Sequence, residues 1–410
     1  MSMRIGCYLD TGNKIDCVGC EACVQVCGKN AIRMLEDEEG FRYPATDGSK
    51  CVGCGLCRRV CPMNVSLVRY TEGKIAFGGY HKDESVRHQS TSGGAFSAIV
   101  EAWCDTNYVI FGAESTGLLV NHSYVTDKRE IEKFRKSKYA QSHIGTAYQD
   151  VKYFLKEGKN VIFSGTPCQI AGLKTYLGKT PCEKLLTIEV VCEGIPSPLY
   201  IRKFDEHVAN KYGGVIDYLD YRYKDGKRWD FEVMLARITS KSHKYKTFRC
   251  DRWFNPFWSI WLNHLMSRPS CYECKFANTS RVADITLGDL WGVHLYCPEL
   301  YGENGGASLI VCNTEKGKLV LSKCRSHLYG HDLLFEDALR YQSPMRKNIS
   351  YNVHRAEFMH DLASAMPYAI LVKKWAKKPS LKLLYSKYVW GNRQKVYCWN
   401  IVQKIKKQFK

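Results

Sequence analysis

Two cysteine runs near the amino terminus have the spacing that binds cubane iron-sulfur clusters. Each run is C-x2-C-x2-C-x3-C, and together they contain Cys17, Cys20, Cys23 and Cys27, then Cys51, Cys54, Cys57 and Cys61. Three thiolates on one tight loop can ligate three irons of a cube, whereas the fourth begins the next helix and points away from it. The spacing therefore predicts crossed ligation, in which Cys61 completes the first cluster and Cys27 the second.

The two runs also match at neighbouring positions, which indicates an internal duplication. Val26 corresponds to Val60 and Asn30 to Asn64, so residues 15–66 are interpreted as a duplicated half-ferredoxin. A structural zinc module is the alternative, but zinc sites take four ligands in pairs. We therefore predict an α+β, two-cluster 4Fe-4S ferredoxin domain over residues 1–66.

Four further cysteines are spaced so that they could ligate a third 4Fe-4S cluster. Cys168 lies in the first turn of a predicted helix, where the helix dipole favours a thiolate, and Cys192 follows a predicted strand. Cys271 and Cys274 have the C-x2-C spacing of a two-ligand loop. Because the carboxyl ends of strands line the ligand crevice of an α/β sheet, we expect these sulfurs to share one site. A zinc site and a redox dithiol are the alternatives.

A glycine-containing turn at the start of another predicted helix suits a phosphate. It comprises Thr91, Ser92, Gly93 and Gly94. Glycines let an anion approach bare backbone amides, and the helix dipole adds positive potential. An ordinary helix N-cap at Thr91 or Ser92 is the alternative. Since a chain that carries clusters needs a centre with which to exchange electrons, we predict the pyrophosphate of a flavin at this turn.

The elements that must position these groups alternate between strand and helix signals after residue 90. Strands are predicted at 108–113, 119–126, 161–165, 185–191 and 283–287, helices at 91–103, 146–157, 167–173 and 255–266, and a strand-rich region at 215–248 with a turn at Asp225-Gly226. This alternation is typical of an α/β body with a mixed or parallel sheet. The predicted organisation is a linker at 67–90, one body formed by 91–200 and 201–345, and a basic, aromatic tail at 346–410.

Composition and charge limit the class of protein. The 410 residues can form a large core, and 20 cysteines without a secretory leader predict a reducing, cytoplasmic location. No apolar stretch reaches the length of a membrane span. The remaining eight cysteines lack ligand spacing and are predicted to be small buried hydrophobes: Cys7, Cys104, Cys182, Cys250, Cys297, Cys312, Cys324 and Cys398. The twelve histidines show no paired metal spacing and receive no role.

The carboxyl-terminal residues carry most of the net charge of +19. Residues 362–410 contain twelve Lys or Arg and no Asp or Glu, which leaves +7 for the rest of the chain. From Tyr368 onward the cations alternate with Trp375, Tyr385, Tyr388, Trp390, Tyr397, Trp399 and Phe409. This pattern predicts docking on an acidic partner or an anionic membrane surface, peripherally at the inner face. A solvated, partly helical tail packed on the body is the alternative.

Several motifs together resemble the coenzyme F420 hydrogenase/dehydrogenase beta-subunit family. They are Ser90–Phe96, Lys136–Tyr139, Phe163–Leu173, Cys192–Pro198 and Ala283–Gly292, in a match that covers roughly residues 15–325. The resemblance implies an FAD-binding α/β body with a cluster beside the flavin, fused to a two-cluster ferredoxin. It further implies that the flavin is surrounded by Thr91, Ser92, Gly93, Gly94, Ser137, Lys138, Tyr139, Ser164, Gly165 and Thr166. Glu193 stands where many members have His.

The predicted function is that of an iron-sulfur flavoprotein oxidoreductase. A hydride carries two electrons and a cubane cluster moves one at a time, so a flavin is needed between them. The expected partners are a hydride-carrying coenzyme and a redox protein, and the resemblance also suggests a link to exopolysaccharide biosynthesis. A non-catalytic electron-transfer subunit is the alternative. Nucleic-acid binding would rest only on the basic tail and its aromatics, and it is not predicted.

Overall fold

The amino-terminal module contains short helices around a two-stranded hairpin. In this computed structural model, which describes residues 6–224, 229–240, 242–301 and 305–408, its elements are α1 (Tyr8–Thr11), α2 (Ala22–Gln25), β1 (Ile32–Glu36), β2 (Arg42–Thr46) and α3 (Leu56–Arg59). β1 and β2 pair antiparallel, with Ile32 opposite Thr46.

The duplication predicted from the cysteine runs is visible in the backbone. Equivalent residues of the two runs adopt left-handed conformations: Gly19 and Gly53 both have φ of 68°, and Glu21 and Gly55 have φ of 61° and 69°. A left-handed conformation is costly for a residue other than glycine. The Glu21 carboxylate offsets that cost through an ion pair with Arg42 at 2.7 Å.

The body is built on an eight-stranded sheet, and its first half alternates strands with helices. The elements are β3 (Ile75–His81), α4 (Glu84–His88), α5 (Ala95–Trp103), β4 (Tyr108–Thr116), β5 (Leu119–Val125), α6 (Ala147–Lys156), β6 (Asn160–Gly165), α7 (Pro167–Leu177), β7 (Leu185–Val190) and α8 (Pro198–Tyr212). A smaller three-stranded sheet and one helix follow: β8 (Gly214–Tyr223), β9 (Val233–Ser240), β10 (Tyr245–Cys250) and α9 (Pro256–Trp261). The predicted Asp225-Gly226 turn lies outside the described residues.

The chain then returns to the large sheet before a helical carboxyl-terminal region. These elements are β11 (Ile285–Asp289), α10 (Val293–Tyr296), β12 (Ser308–Cys312), α11 (Glu315–Cys324), β13 (Leu328–Leu333), α12 (Phe335–Arg340), α13 (Arg355–Ala363), α14 (Tyr368–Trp375), α15 (Leu381–Leu384), a π-helical turn (Tyr385–Val389) and α16 (Asn392–Gln408). The large sheet has the order β13-β3-β12-β11-β7-β6-β4-β5. Its central strands β4, β6, β7 and β11 are parallel and its outer pairs antiparallel, so the predicted mixed α/β sheet is confirmed.

Both faces of the large sheet are covered, and the amino-terminal module covers part of one. Along β6, Val161 and Phe163 pack with Val18 and Cys20 of the module, whereas Ile162 packs on the opposite face. This alternation is the period-two pattern of a strand buried on both sides. The cysteine loops therefore lie against the sheet that carries the other predicted sites.

Two predicted segments differ from the structure. Residues 67–90, expected to be a polar linker, contribute β3, which pairs with β12 and β13 inside the large sheet. The start of the predicted tail is also packed: Phe358 and Leu371 are buried with α9 in the core, and the Tyr368 hydroxyl hydrogen-bonds that of Tyr200 at 3.0 Å. The exposed basic segment therefore begins after α14.

The eight cysteines without ligand spacing divide into three groups. Cys7, Cys104, Cys297, Cys312 and Cys324 are buried, as predicted, and Cys182 and Cys250 are half-buried. Cys398 is exposed on α16, so the prediction is wrong there. Within the described ranges, no helix has both the length and the apolar character needed to cross a membrane.

Candidate redox centres and cleft

The first group of thiols encloses a small cavity in the amino-terminal module. Cys17, Cys20, Cys23 and Cys61 all line this first cysteine cavity. The set combines three cysteines of the first run with the last cysteine of the second, as crossed ligation requires. Burial raises the pKa of Cys61 to about 12. Four such thiols suit a cluster, because a bound metal supplies the positive charge that favours thiolates.

Side chains of Arg268 and Gln141 bind the Cys17–Cys23 loop to the body. The buried Arg268 guanidinium donates to the carbonyl of Cys17 at 2.9 Å and to the side chain of Gln141 at 3.1 Å. The Gln141 amide in turn donates to the carbonyl of Val18 at 2.8 Å. These contacts satisfy buried carbonyls of a loop that has no regular structure. Neither residue was predicted from the sequence, because both act through contacts distant along the chain.

A glycine on α7 allows the loop to approach. A Cβ added at Gly172 would lie 2.9 Å from the Cβ and 3.0 Å from the Sγ of Cys20. Gly172 therefore makes room for the loop that carries Cys20, and α7 fixes the position of the first cysteine cavity.

The other thiols of the module lie nearer the surface. Cys51 and Cys54 are exposed, and Cys27 and Cys57 are half-buried. The Cys27 sulfur accepts a hydrogen bond from the amide of Ala31 at 3.3 Å. Cys57 also lines the first cysteine cavity, so the second run extends from that cavity to solvent.

The four dispersed cysteines come together, as their positions in the sequence predicted. Cys168, Cys192, Cys271 and Cys274 line a second cysteine cavity. Burial raises the pKa of Cys168 to about 11 and that of Cys271 to about 12. These thiols begin α7, follow β7 and lie on the loop before β11, so three separate stretches of backbone must be in place to form the cavity.

Arginines supply positive charge beside the second cysteine cavity. Arg268 and Arg281 both line it. Arg281 forms a buried ion pair with Glu189 and donates to the carbonyl of Phe276 at 3.0 Å. Cations that line a cavity favour thiolates there, and they also favour the reduced form of an anionic centre.

Nine of the ten residues that the resemblance implies at the flavin line one large cleft. This cleft is bordered by Thr91, Ser92, Gly94, Ser137, Lys138, Tyr139, Ser164, Gly165 and Thr166. It lies at the carboxyl ends of the parallel strands β6 and β7, the usual position of a ligand crevice in an α/β sheet. Hydroxyls, glycine backbone and lysines are suitable partners for a phosphorylated cofactor.

Gly93, the tenth residue, is not at the cleft surface. Its amide donates to the hydroxyl of Ser308 at 2.9 Å, and an added Cβ would lie 2.4 Å from the carbonyl of Gly79. The expectation that Gly93 admits a ligand is therefore wrong. Its missing side chain instead lets the turn pack against β3 and β12.

A hydrogen-bonded histidine forms part of the cleft wall. Burial lowers the pKa of His122 to about 4, so the ring is neutral. Its Nε2 donates to the carbonyl of Ser164 at 2.9 Å, which leaves Nδ1 to accept from the Ser142 hydroxyl at 2.9 Å. The amide of Gln169 donates to the Ser142 oxygen at 2.9 Å. The network fixes the wall beside Thr166, and neither His122 nor Ser142 was singled out from the sequence.

The cleft also contains two ionisable groups whose pKa values are shifted by burial. Burial lowers the pKa of Lys138 to about 7 and raises that of Glu193. Lys138 nonetheless donates to the carbonyls of Lys133 and Arg135. A lysine and a carboxyl group whose pKa values are moved toward neutrality can exchange protons with a bound molecule.

The cleft and the two cysteine cavities share walls. Cys192, Gly194 and Ile195 line both the cleft and the second cysteine cavity. Val18 lines both cysteine cavities and so connects the second cavity with the first. Cys57 lines the first cavity and belongs to the run that contains the exposed cysteines. The sites are thus arranged in one row from the cleft to the exposed cysteines.

Within the described chain, no three His, Cys, Asp or Glu side chains are grouped so as to hold a single metal ion. The donor sets are instead groups of thiols around cavities, which is the arrangement that a multi-iron cluster needs.

The fold and the thiol groups define an iron-sulfur oxidoreductase-like protein. Residues 158–330 match the carboxyl-terminal region of the coenzyme F420 hydrogenase/dehydrogenase beta-subunit family, and residues 16–65 match the 4Fe-4S dicluster domain. The resemblance inferred from the motifs is thereby confirmed. The matched ranges include all twelve predicted metal-ligand cysteines.

One solved structure with a similar chain is the F420-reducing [NiFe] hydrogenase complex from Methanosarcina barkeri. The similarity has 14% sequence identity and a TM-score of 0.43, and it covers 75% of this chain and 93% of that chain. No curated protein sequence matches the chain.

Proposed function

We propose that the protein is an iron-sulfur flavoprotein oxidoreductase that passes electrons between a hydride carrier or reducible substrate and a redox partner protein. The proposed centres are FAD in the cleft, a 4Fe-4S cluster in the second cysteine cavity and two 4Fe-4S clusters in the ferredoxin module. The shared walls that lead from the cleft through both cysteine cavities to Cys57 are the observation that carries this proposal.

The residues of the cleft would bind and orient the cofactor. The hydroxyls and backbone around Thr91, Ser137 and Thr166 would hold polar groups of FAD, and Lys138 would face its negative charge. Bound FAD supplies the change between two-electron and one-electron chemistry. Glu193 would place its carboxyl group in the cleft wall, where burial raises its pKa.

The Cys192–Ile195 segment separates the cleft from the second cysteine cavity. Three of its residues line both sites, and Cys192 itself would ligate the cluster. Because the two sites share this wall, electrons would pass between them without a mobile carrier. The link to exopolysaccharide biosynthesis that the resemblance suggests stays a prediction.

Anaerobic purification with iron, sulfide and flavin analysis tests the proposal. We expect about twelve irons per chain from three sets of four cysteines, together with one FAD. Reduced deazaflavin, NADH and NADPH would then be screened for the ability to bleach the cluster absorbance.

A pair of cysteine variants separates the centres. Cys271→Ser should lose about four irons and keep the ferredoxin signals, whereas the control Cys182→Ser replaces an equally half-buried cysteine outside both cavities and should lose none. Unchanged iron in Cys271→Ser would remove the third cluster from the proposal. Protein with full iron and no flavin would instead support the non-catalytic electron-transfer subunit.

A further inference from the structure

The carboxyl-terminal segment after α14 exposes apolar side chains to solvent. In α16, Tyr397, Ile401 and Ile405 are spaced by four residues and therefore lie on one face of the helix. They are 67%, 41% and 47% exposed. Trp390, just before the helix, adds an indole that is 49% exposed. A contiguous apolar surface of this kind on a protein usually has a partner.

The exposed apolar face of α16 lies opposite a buried side chain of the same helix. Val396 is buried, at 7% exposure, and it precedes Ile405 by nine residues, which places it half a turn away around the helix. A tail that packed on the body through its apolar face would show the opposite arrangement. The sequence also suggested that the tail packs on the body through its aromatic residues, and this holds for two of them. The Trp375 indole donates to Asp361 at 2.8 Å, and the Tyr388 hydroxyl donates to Asp251 at 2.9 Å.

The segment that carries this apolar face has only positively charged side chains among its ionised residues. Residues 381–408 contain seven Lys or Arg and no Asp or Glu. Lys395 and Lys406 are exposed on the same helix as the apolar face. Long lysine side chains beside aromatic and aliphatic groups can reach lipid headgroups while the apolar face enters the acyl boundary. Two copies of this segment would repel each other through the same charges.

We propose that residues 381–408 form a peripheral anchor that binds an anionic lipid bilayer through the exposed face of α16. The Tyr388 hydroxyl, which donates to Asp251 at 2.9 Å, joins the segment to the body, so the anchor would hold the whole protein at the surface. The anchor begins later than the tail expected from the sequence, since α14 belongs to the body.

Sedimentation with vesicles of phosphatidylcholine, with and without phosphatidylglycerol, tests the proposal on the full chain. We expect binding only to the anionic vesicles, weakened by added salt. Combining Tyr397→Gln, Ile401→Gln and Ile405→Gln should weaken binding by at least about 100-fold. Combining Lys395→Gln and Lys406→Gln should weaken it by about 25-fold at low salt, because each cation contributes about fivefold.

The control replaces an equally exposed apolar residue of the body. Leu119 is 51% exposed on β5, and Leu119→Gln should bind vesicles like the unaltered protein. Iron content should be the same in all variants, because the changed side chains are exposed. The proposal would be overturned if the apolar triple variant bound anionic vesicles as well as the unaltered protein. It would also be overturned if the unaltered protein bound neutral vesicles as well as anionic ones, or bound neither at low salt. If the unaltered protein formed dimers but did not bind vesicles, and the triple variant were monomeric, the face would be assigned to a second copy instead.

Discussion

Substitution of Gly172 by alanine tests how the body fixes the first cysteine cavity. The added Cβ would lie 2.9 Å from the Cβ of Cys20 and 3.0 Å from its Sγ, well inside the 3.5–4.0 Å of a normal carbon contact. Overpacking of this kind costs about 1–3 kcal/mol. Alanine in the interior of a helix gains about 0.5–1 kcal/mol over glycine. The loop carrying Cys20 should therefore be displaced at a net cost of about 0.5–2 kcal/mol.

Iron release to a chelator measures this displacement. If the cost lowers the free energy needed to open the Cys17–Cys23 loop, iron should leave the first cluster about 2- to 30-fold faster. The release is followed anaerobically by absorbance of the iron chelate, and electron paramagnetic resonance identifies the cluster that is lost. The other clusters should release iron at their original rates, because Gly172 contacts the first run.

Gly48→Ala is the matched control within the module. An added Cβ at Gly48 meets nothing within 4 Å, and the residue has no left-handed conformation. Its iron-release rate should equal that of the unaltered protein. If Gly172→Ala behaved like Gly48→Ala, the close packing of the loop on α7 would not control the site, and the reasoning would be refuted.

Two further predictions concern the groups between the cleft and the second cysteine cavity. The Thr166 hydroxyl lies 3.2 Å from the sulfur of Cys168, and hydrogen bonds to ligand sulfurs raise the reduction potentials of clusters. Thr166→Val should therefore lower the midpoint potential of the third cluster in a redox titration. An unchanged potential would contradict a hydrogen bond between these two groups. Burial lowers the pKa of Lys138 to about 7, below its unfolded value of 10.5, so the unfolded chain binds more protons and stability should rise between pH 7 and 10.5. Lys138→Met should reduce that rise in denaturant titrations, although Lys224, whose pKa is also lowered to about 7, contributes part of it. An identical pH dependence in both proteins would show that Lys138 is not buried in solution.

The cysteine sites were predictable because their signals are local. The C-x2-C spacings lie within single loops, and strand-then-turn patterns placed Cys168 and Cys192 at the carboxyl edge of the sheet. The cleft residues followed from the family resemblance. These parts of the structure depend on residues close together in the sequence or on motifs that recur.

The contacts that join the module to the body could not be predicted. Gln141 and Val18 are 123 residues apart, and Arg268 and Cys17 are 251 residues apart. A buried arginine looks like any surface arginine in a sequence, because only the fold determines which carbonyls it meets. Tertiary packing, and not local pattern, decided these positions.

β3 was missed for a related reason. Its glycines Gly78 and Gly79 weaken the strand signal, yet an added Cβ at Gly79 would lie 2.5 Å from the carbonyl of Tyr329. The same substitution at Gly78 would meet the side chain of Leu290 at 2.8 Å. Glycine is thus required by neighbouring strands and side chains that belong to distant parts of the sequence.

The buried position of the first cysteine cavity has a consequence for maturation. Cys20 is buried against α7, and the guanidinium of Arg268 closes over the carbonyl of Cys17. On the side that the body covers, a preassembled cube could therefore reach this cavity only before the module docks. The exposed Cys51 and Cys54 remain open to a delivery protein after docking. The contact between module and body thus restricts the loading of one centre more than that of the other.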